Sequence, residues 1–579
     1  MASIILQKKW KFLSPDPELV HDLASRANIP DLIARILINR GIQDKSEAVS
    51  HLNPSLSSLS DPDQMADMDK AVTRITKAIR DREKITIFGD YDVDGITSCA
   101  LLQEFLAPLG CKVATYIPHR LNEGYGLNPE AIKRISTDGT TLLITVDCGI
   151  SCFDEIHLAN QLGLDCIVTD HHQVPPTLPP ARAILNPKRP DCQFPFKELA
   201  GVGVVFNLVR SLRRRLFNSG HWEGSSFPNL KKSLDLVTLG TVADIVPLFG
   251  DNRILVRAGL DILENTERPG IKALANKTGI RPPYSTDTIG FIFGPRINAA
   301  GRMDHAKKAL NLLTTDNSRE AEELADELNR LNRVRQEEEA KILKQAHEIA
   351  SNMGQRHAYV LASRGWHRGV VGIVASRLMD TFYCPIVLLS LEEDTAHGSA
   401  RSPEGLHLYN MLAKCSDHLE AFGGHACAAG LHIANDKIEE FTLAFESITE
   451  KESSVIKEKE PFISLDGRIT PDDVVTNNFK HFYRLLEPFG ANYPQPLLCL
   501  PGSCISDKRI VGGKHLKFNL IGKKGNGVSL LAWGMANKLE LSWETSELAC
   551  VPFINTWNGT STLQLKLTDI RDTAPATSE

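Results

Sequence analysis

The run Gly89-Asp90-Tyr91-Asp92-Val93-Asp94-Gly95 sets three aspartates at alternate positions, between a short apolar run and the start of a helix-like pattern. Asp and Gly are ordinary turn residues, so one such loop says little. Three carboxylates crowded at a strand end repel one another, however, and need cations to compensate. An EF-hand is excluded, because Ile96 follows Gly95 and no glutamate closes the loop at the required spacing. The pattern recurs. Asp147 follows Leu142 to Val146, Asp170-His171-His172 follows Cys166 to Thr169, and Asp244 stands in the otherwise apolar Thr241-Val242-Ala243-Asp244-Ile245-Val246-Pro247. A single such Asp is more often a helix cap than a ligand. Four acidic or histidine clusters at successive strand ends point instead to a metal site. Carboxylates with one or two imidazoles suit Mn²⁺ or Mg²⁺, with the histidines favouring Mn²⁺. Two such ions clamp a phosphodiester, activate water and stabilise the leaving oxygen. No Ser or Cys nucleophile with a base is recognisable, so hydrolysis by metal-activated water is the economical chemistry.

The elements that must position these groups follow from hydrophobic periodicity. Ile85 to Phe88, Lys112 to Ile117, Leu142 to Val146 and Cys166 to Thr169 are short apolar, β-rich runs. Helical stretches separate them, near Thr97 to Pro108, Pro129 to Ser136 and Phe153 to Leu162. The alternation predicts a parallel sheet with both faces covered, whose ligands bind beyond the carboxyl ends of the strands. Residues 317–351 are rich in Glu, Arg, Lys and Ala, carry no Gly or Pro, and show a rough apolar stripe. They read as a long helix linking two domains. A second α/β domain follows over 352–450, then a charged linker over 451–460. In 461–572, Leu516, Phe518 and Leu520 alternate with His515, Lys517 and Asn519, which predicts a small OB-like β-barrel. Residues 1–50 form an N-terminal segment, 51–316 the catalytic domain and 573–579 a tail.

At 579 residues two to four domains are expected. The apolar runs stop well short of membrane-spanning length, and Met1 to Phe12 lacks the apolar stretch of a signal peptide, so a cytoplasmic protein without membrane contact is expected. The 12 cysteines are scattered, and none shows zinc-site spacing. A net charge of −6 decides nothing, because a basic groove can coexist with acidic outer faces. One basic cluster does stand out: Lys508, Arg509, Lys514, Lys517, Lys523 and Lys524 lie in the barrel region, whose aromatics include Phe518 and Trp533. OB-folds bind single strands through a basic groove with stacking aromatics. Phe518 and Trp533 themselves are expected in the core.

Asp90-Tyr91-Asp92-Val93-Asp94-Gly95, Val146-Asp147-Cys148-Gly149, Asp170-His171-His172 and Ala243-Asp244 resemble the four ordered motifs of the DHH phosphoesterase family. The resemblance implies two Mn²⁺ (or Mg²⁺) ions held by Asp92, Asp94, Asp147, His171 and Asp244, with Asp147 bridging. It also implies that His172 contacts the scissile phosphate and that Asp170 orients the neighbouring imidazole. Pyrophosphatase members place a histidine ligand where Phe88 stands here. Asp90 is the candidate to supply that ligation, and the difference argues against pyrophosphate as substrate.

Residues 365–430 resemble the DHHA1 domain that accompanies this catalytic domain, through Gly365-Trp366-His367, Gly369, Gly372-Ile373, Gly398-Ser399-Ala400-Arg401-Ser402 and Gly423-Gly424-His425. In the RecJ branch of the family the Ser-x-Arg pair, here Ser399 and Arg401, is associated with 5′-phosphate recognition. Arg120 resembles a further phosphate-binding arginine, and His425 belongs to the same DNA-facing set. Arg296 and Arg302, in Gly294-Pro295-Arg296-Ile297-Asn298-Ala299-Ala300-Gly301-Arg302, suit contact with the strand or the blocking of duplex entry. The RecJ-like pattern runs from about residue 40 to 570. It implies a monomeric, metal-dependent exonuclease that digests single-stranded DNA 5′ to 3′ to mononucleotides in repair and recombination, with single-strand-binding protein and a helicase as partners. Three rivals are weaker. Phosphodiesterases of oligoribonucleotides or cyclic dinucleotides lack the long helix and barrel, non-enzymatic DNA-binding scaffolds have lost the metal motifs, and a Ser or Cys hydrolase lacks its nucleophile here.

Overall fold

Five parallel strands form the first sheet, in the order Lys112–Tyr116, Lys84–Gly89, Leu142–Val146, Asp165–Thr169 and Ala183–Leu185. Every residue of Leu142–Val146 is buried, as expected of a central strand covered on both faces. The chain leaves Lys84–Gly89 for the edge strand on one side, then crosses to Leu142–Val146 on the other. The order therefore reverses between these two neighbours, and ligands of open α/β sheets bind at such a crevice. The structure, a computed structural model, describes residues 9–124, 126–222, 227–452, 462–525, 527–538, 543–557 and 560–572. The tail expected at 573–579 and most of the linker expected at 451–460 lie outside the described residues.

The described chain divides into two compact units. The first, residues 60–244 and 259–452, contains the parallel sheet, the helix Ser318–Asn352 and a second sheet. That helix starts at an Asn317 cap whose side chain accepts from the amides of Arg319 and Glu320. It buries Ala321, Ala325, Leu328, Leu331, Ile342, Ala346 and Ala350. Of the stripe read from the sequence, Leu328, Leu331, Ile342 and Ala346 are buried, whereas Leu324 is half-buried and Ile349 exposed. The second sheet is mixed, in the order Ala421–Gly424, Ala428–Ala434, Thr395–Arg401, Ile386–Leu391 and Tyr359–Arg364. One of its faces, with Val387, Leu389, Ala396 and Ala400, packs into its own core. The opposite face includes Ile386 and Leu388, which pack with the helix Val371–Phe382 and the end of the long helix.

The second unit comprises residues 9–59, 245–258 and 462–572. Its seven-stranded sheet carries the alternation read from the sequence, with Leu516, Phe518 and Leu520 buried. Its core also takes in Ile33, Ile36 and Leu37 from an N-terminal helix, and Phe479 and Tyr483 from the helix Asn477–Leu486. Arg253 is 1% exposed and donates to the carbonyls of His51, Leu485, Leu486, Glu487 and Pro488, tying together three stretches of chain that are remote in sequence. Trp533 departs from expectation. It is 53% exposed rather than core, because it lies beyond the last buried residue of its strand, in the row of the solvent-facing His515.

Candidate active site

Asp92 caps the helix Val93–Leu106, accepting from the amides of Asp94 (3.0 Å) and Gly95 (3.1 Å). The cap turns the chain sharply off the strand and brings Asp90, Asp92 and Asp94 to one place. Asp94 lies in the helix's first turn, buried, and receives the two leading amides of the helix Gly201–Asn218, from Gly201 (2.5 Å) and Val202 (2.8 Å). Gly201 has to be glycine, since a Cβ there would meet Asp147 Oδ1 at 2.7 Å. Asp147 follows the neighbouring strand in a left-handed conformation (φ 59°), with its amide bonded to the Thr169 carbonyl.

Asp244 differs from expectation in its support. It ends the helix Leu234–Ala243 rather than a strand, so the apolar stretch before it is a buried helix. Short apolar runs do not distinguish the two. The helix still delivers its carboxylate to the cluster: His171 Nε2 lies 3.2 Å from Asp147 Oδ1, 3.5 Å from Asp244 Oδ2 and 3.9 Å from Asp94 Oδ2. Three sets of potential ligand atoms converge, from Asp147 with His171 and His172, from Asp94 with His171 and Asp244, and from Asp90 with Asp92 and Asp147.

These groups fit divalent cations on a physical criterion. Asp147 Oδ1, Asp244 Oδ2 and both ring nitrogens of His171 are buried without any hydrogen-bond partner, an arrangement that costs free energy unless something binds them. Burial, and then the charges of neighbouring aspartates, push Asp94 up to about 7 and Asp244 up to about 9, and hold Asp90 and Asp147 well above the carboxylate range. Burial, then His172, lowers His171 to about 3, leaving a neutral imidazole suited to ligation. Asp170 is a different kind of carboxylate. Burial opposes its ionisation, but His172 Nδ1 at 2.7 Å and the amides of Ile150, His171 and His172 hold it down at about 2.

Cations gather next to the acidic cluster. The guanidinium of Arg120 sits 4.8 Å from the Tyr91 ring centre. Burial, then the charge of Arg120, lowers Arg302 to about 10 and also lowers Arg401. Arg401 Nη1 donates to Ser399 Oγ (3.1 Å), and its Nε donates to Ser376 Oγ (3.1 Å). Gly372 leaves this pair open, because a Cβ there would stand 2.8 Å from Ser399 Oγ and 3.1 Å from Arg401 Nη2. Three neighbouring guanidinium groups beside a Ser hydroxyl suit a phosphate. His425 is exposed and within electrostatic reach of His172 and Lys188. Arg296 points elsewhere, bonding Asn329 on the long helix and the Ile292 carbonyl.

Two supporting residues escape the sequence reading. Asn186, fully buried after the fifth strand, donates to the His172 carbonyl, and its own carbonyl oxygen accepts from the amide of Lys188. Lys188 interacts electrostatically with both His171 and Asp244. The strand-end rule, carried one strand further to Ala183–Leu185, leads to both. Lys508, Arg509, Lys514 and Lys517 belong to the second unit. There Arg509 pairs with Lys517 across neighbouring strands, on the face opposite the buried Leu516 and Phe518.

Residues 84–241 match the DHH family, N-terminal domain; residues 335–451 match the DHHA1 domain and residues 465–569 the RecJ OB domain. The chain is 37% identical to the single-stranded-DNA-specific exonuclease RecJ of Bacillus subtilis, over 97% of this chain and 70% of that protein. Identity to the RecJ of Escherichia coli is 36%, over 94% of this chain and 96% of that one. The crystal structure of Thermus thermophilus RecJ in complex with Mn²⁺ superposes with a TM-score of 0.81 at 31% identity, covering 97% of this chain and 79% of that one. The same protein with Mg²⁺ gives 0.76 at 30% identity, covering 97% and 78%. With this identity running from end to end and all three domains matched, the chain belongs to the RecJ family of single-stranded-DNA-specific exonucleases.

Proposed function

We propose that this chain hydrolyses single-stranded DNA from its 5′ end, one nucleotide at a time, to nucleoside 5′-monophosphates. The carrying observation is the buried Asp147–His171–Asp244 group with its unpartnered ligand atoms, set beside the Ser399–Arg401–Arg120 cluster. Asp92, Asp94, Asp147, His171 and Asp244, with Asp90 as a further ligand, are the residues that would hold two Mn²⁺ or Mg²⁺ ions. Bound there, divalent cations activate water and offset the charge that develops on a phosphodiester in transit.

The chain's own residues do the rest. Asp170 fixes the His172 ring through Nδ1, and so orients the imidazole that would contact an oxygen of the scissile phosphate. Ser399, Arg401 and Arg120 grip a terminal 5′-phosphate, so the next phosphodiester falls at the acidic cluster and the product is a mononucleotide. Arg302 and His425 contact the strand nearby, and Arg296 contributes indirectly by bracing the long helix. Lys508, Arg509, Lys514 and Lys517 hold the strand on the second unit. The printed activity of the relatives, single-strand-specific exonuclease, supports this reading. A monomer working in repair and recombination, with single-strand-binding protein and a helicase clearing its path, is the corresponding setting.

Single strands labelled at either end, incubated with Mn²⁺ or with EDTA, test the proposal. Mononucleotides should leave the 5′ end first, and neither EDTA nor Asp147→Ala should permit any release. Equal loss from both ends, or a preference for dinucleotides over long strands, would overturn it.

A further inference from the structure

An open cleft of about 430 Å³ lies in the first unit, between the loop after Arg120, the long helix and the segment 365–368. Leu121, Trp366 and Leu391 give it apolar walls, and Lys341, Arg368 and His367 give it polar ones. The donors are oriented by neighbours. His367 Nδ1 accepts from the Gly369 amide (3.1 Å), so the neutral ring carries its proton on Nε2. Arg368 is braced by Glu392 at 3.0 Å and by the ring of His397 at 2.9 Å. Glu338 is the one acid on the wall, and it lies 3.6 Å from the Lys341 ammonium. Both cations remain reachable, with side chains 31% and 54% exposed.

The position of the cleft is as informative as its lining. Arg401, Ser399 and His397 alternate along one strand and share a face of the second sheet, and Ser390, in the cleft wall, pairs opposite His397. The Ser390 part of the cleft wall thus lies one rung beyond Ser399, a rise of roughly 6–7 Å along the strand. No residue of its lining belongs to the acidic cluster.

We infer that this cleft is a binding site for a nucleoside 5′-monophosphate, the class of product that the proposed reaction releases; naming the ligand as product rests on that reading. The cationic and imidazole donors of the lining select an anion, and its apolar residues suit a base. The volume of the cleft falls in the range of small-molecule sites. Lys341 and Arg368 take the phosphate oxygens, His367 Nε2–H donates to a phosphate or sugar oxygen, and the base lies against Leu121 and Leu391.

Calorimetric titration of the full chain with dAMP, with deoxyadenosine and with inorganic phosphate, in Mn²⁺ and in EDTA, tests this. In EDTA dAMP should bind more tightly than either fragment, and one site per chain should persist in Arg401→Gln, which removes the 5′-phosphate grip. Arg368→Gln and Lys341→Gln should each weaken that binding by about tenfold, whereas Arg401→Gln leaves it in place. Binding that survives Arg368→Gln but is lost in Arg401→Gln would put the nucleotide in the catalytic groove and overturn the inference, as would the absence of dAMP binding in EDTA. Strand degradation without nucleotide binding defeats the cleft alone. Nucleotide binding in a chain that degrades no strand defeats the proposed reaction and leaves the cleft standing.

Discussion

Removing one carboxylate from the group around His171 should change stability in opposite directions with and without a divalent ion. Asp90, Asp94, Asp147 and Asp244 repel one another in a buried setting. In EDTA, Asp147→Asn relieves part of that repulsion, so the variant should melt at or above the temperature of the parent. In Mn²⁺ the parent gains binding energy that the variant lacks, about 2.7 kcal/mol at an ion concentration one hundred times the Kd, and the order should reverse. Scanning fluorimetry of both proteins in both buffers checks this, and an equal destabilisation in the two would make Asp147 merely structural. His51 makes a separate prediction at the same scale. Burial, then the charges of Arg253 and Arg40, lowers it to about 3 against 6.5 in an unfolded chain. Below pH 6.5 the unfolded state therefore takes up a proton that the folded state refuses, and stability falls as pH drops through that window. Urea denaturation at pH 7 and pH 5 should show the parent losing on the order of 1–2 kcal/mol relative to His51→Phe.

At the scale of elements, Arg253 joins the end of the helix Asn477–Leu486 to His51 through five carbonyls. Arg253→Met leaves those acceptors buried without a donor and should cost the second unit about 3 kcal/mol or more, read by thermal denaturation. A surface role for this arginine would leave the melting temperature where it is. Such a tie is not legible in the sequence, because its partners lie more than 200 residues away. What is legible is local. Asp90 to Asp94, Asp147 and Asp170 to His172 follow from short runs whose strand character shows in composition and length, and the parallel order then fixes where they meet. Asp244 is placed in the right cluster on the wrong element, since Leu234–Ala243 is buried over most of its length with apolar residues all around it, which removes the period that would mark a helix. Trp533 is misjudged for a related reason: large aromatics are usually core, and only the strand register reveals the solvent-facing row.

At the scale of the whole molecule, the obvious dissection, a truncation at residue 460, is a poor test of what the C-terminal strands contribute. The N-terminal helices bury Ile33, Ile36, Leu37 and Leu52 in the same core as Phe479, Leu498 and Phe518, so the cut would expose an apolar face and invite aggregation. Surface charge is a cleaner handle. Arg509 and Lys517 pair on the solvent side of the sheet, with His515 and the exposed Trp533 (ring centres 4.6 Å apart) on the neighbouring row. A single strand crossing this face would meet phosphate-binding cations and a stacking ring together. Reversing both charges, Arg509→Glu with Lys517→Glu, should lower the slope of log affinity against log salt by about 1.4, at roughly 0.7 per lost phosphate contact. Trp533→Ala should instead weaken binding by about 1–3 kcal/mol at every salt concentration, leaving the slope as it was. Both effects should appear with long strands and fade with oligonucleotides of a few residues, which the first unit's own groups suffice to hold. If the double reversal leaves the salt slope unchanged on long strands, the basic face lies off the path of the DNA and strand capture belongs to the first unit alone.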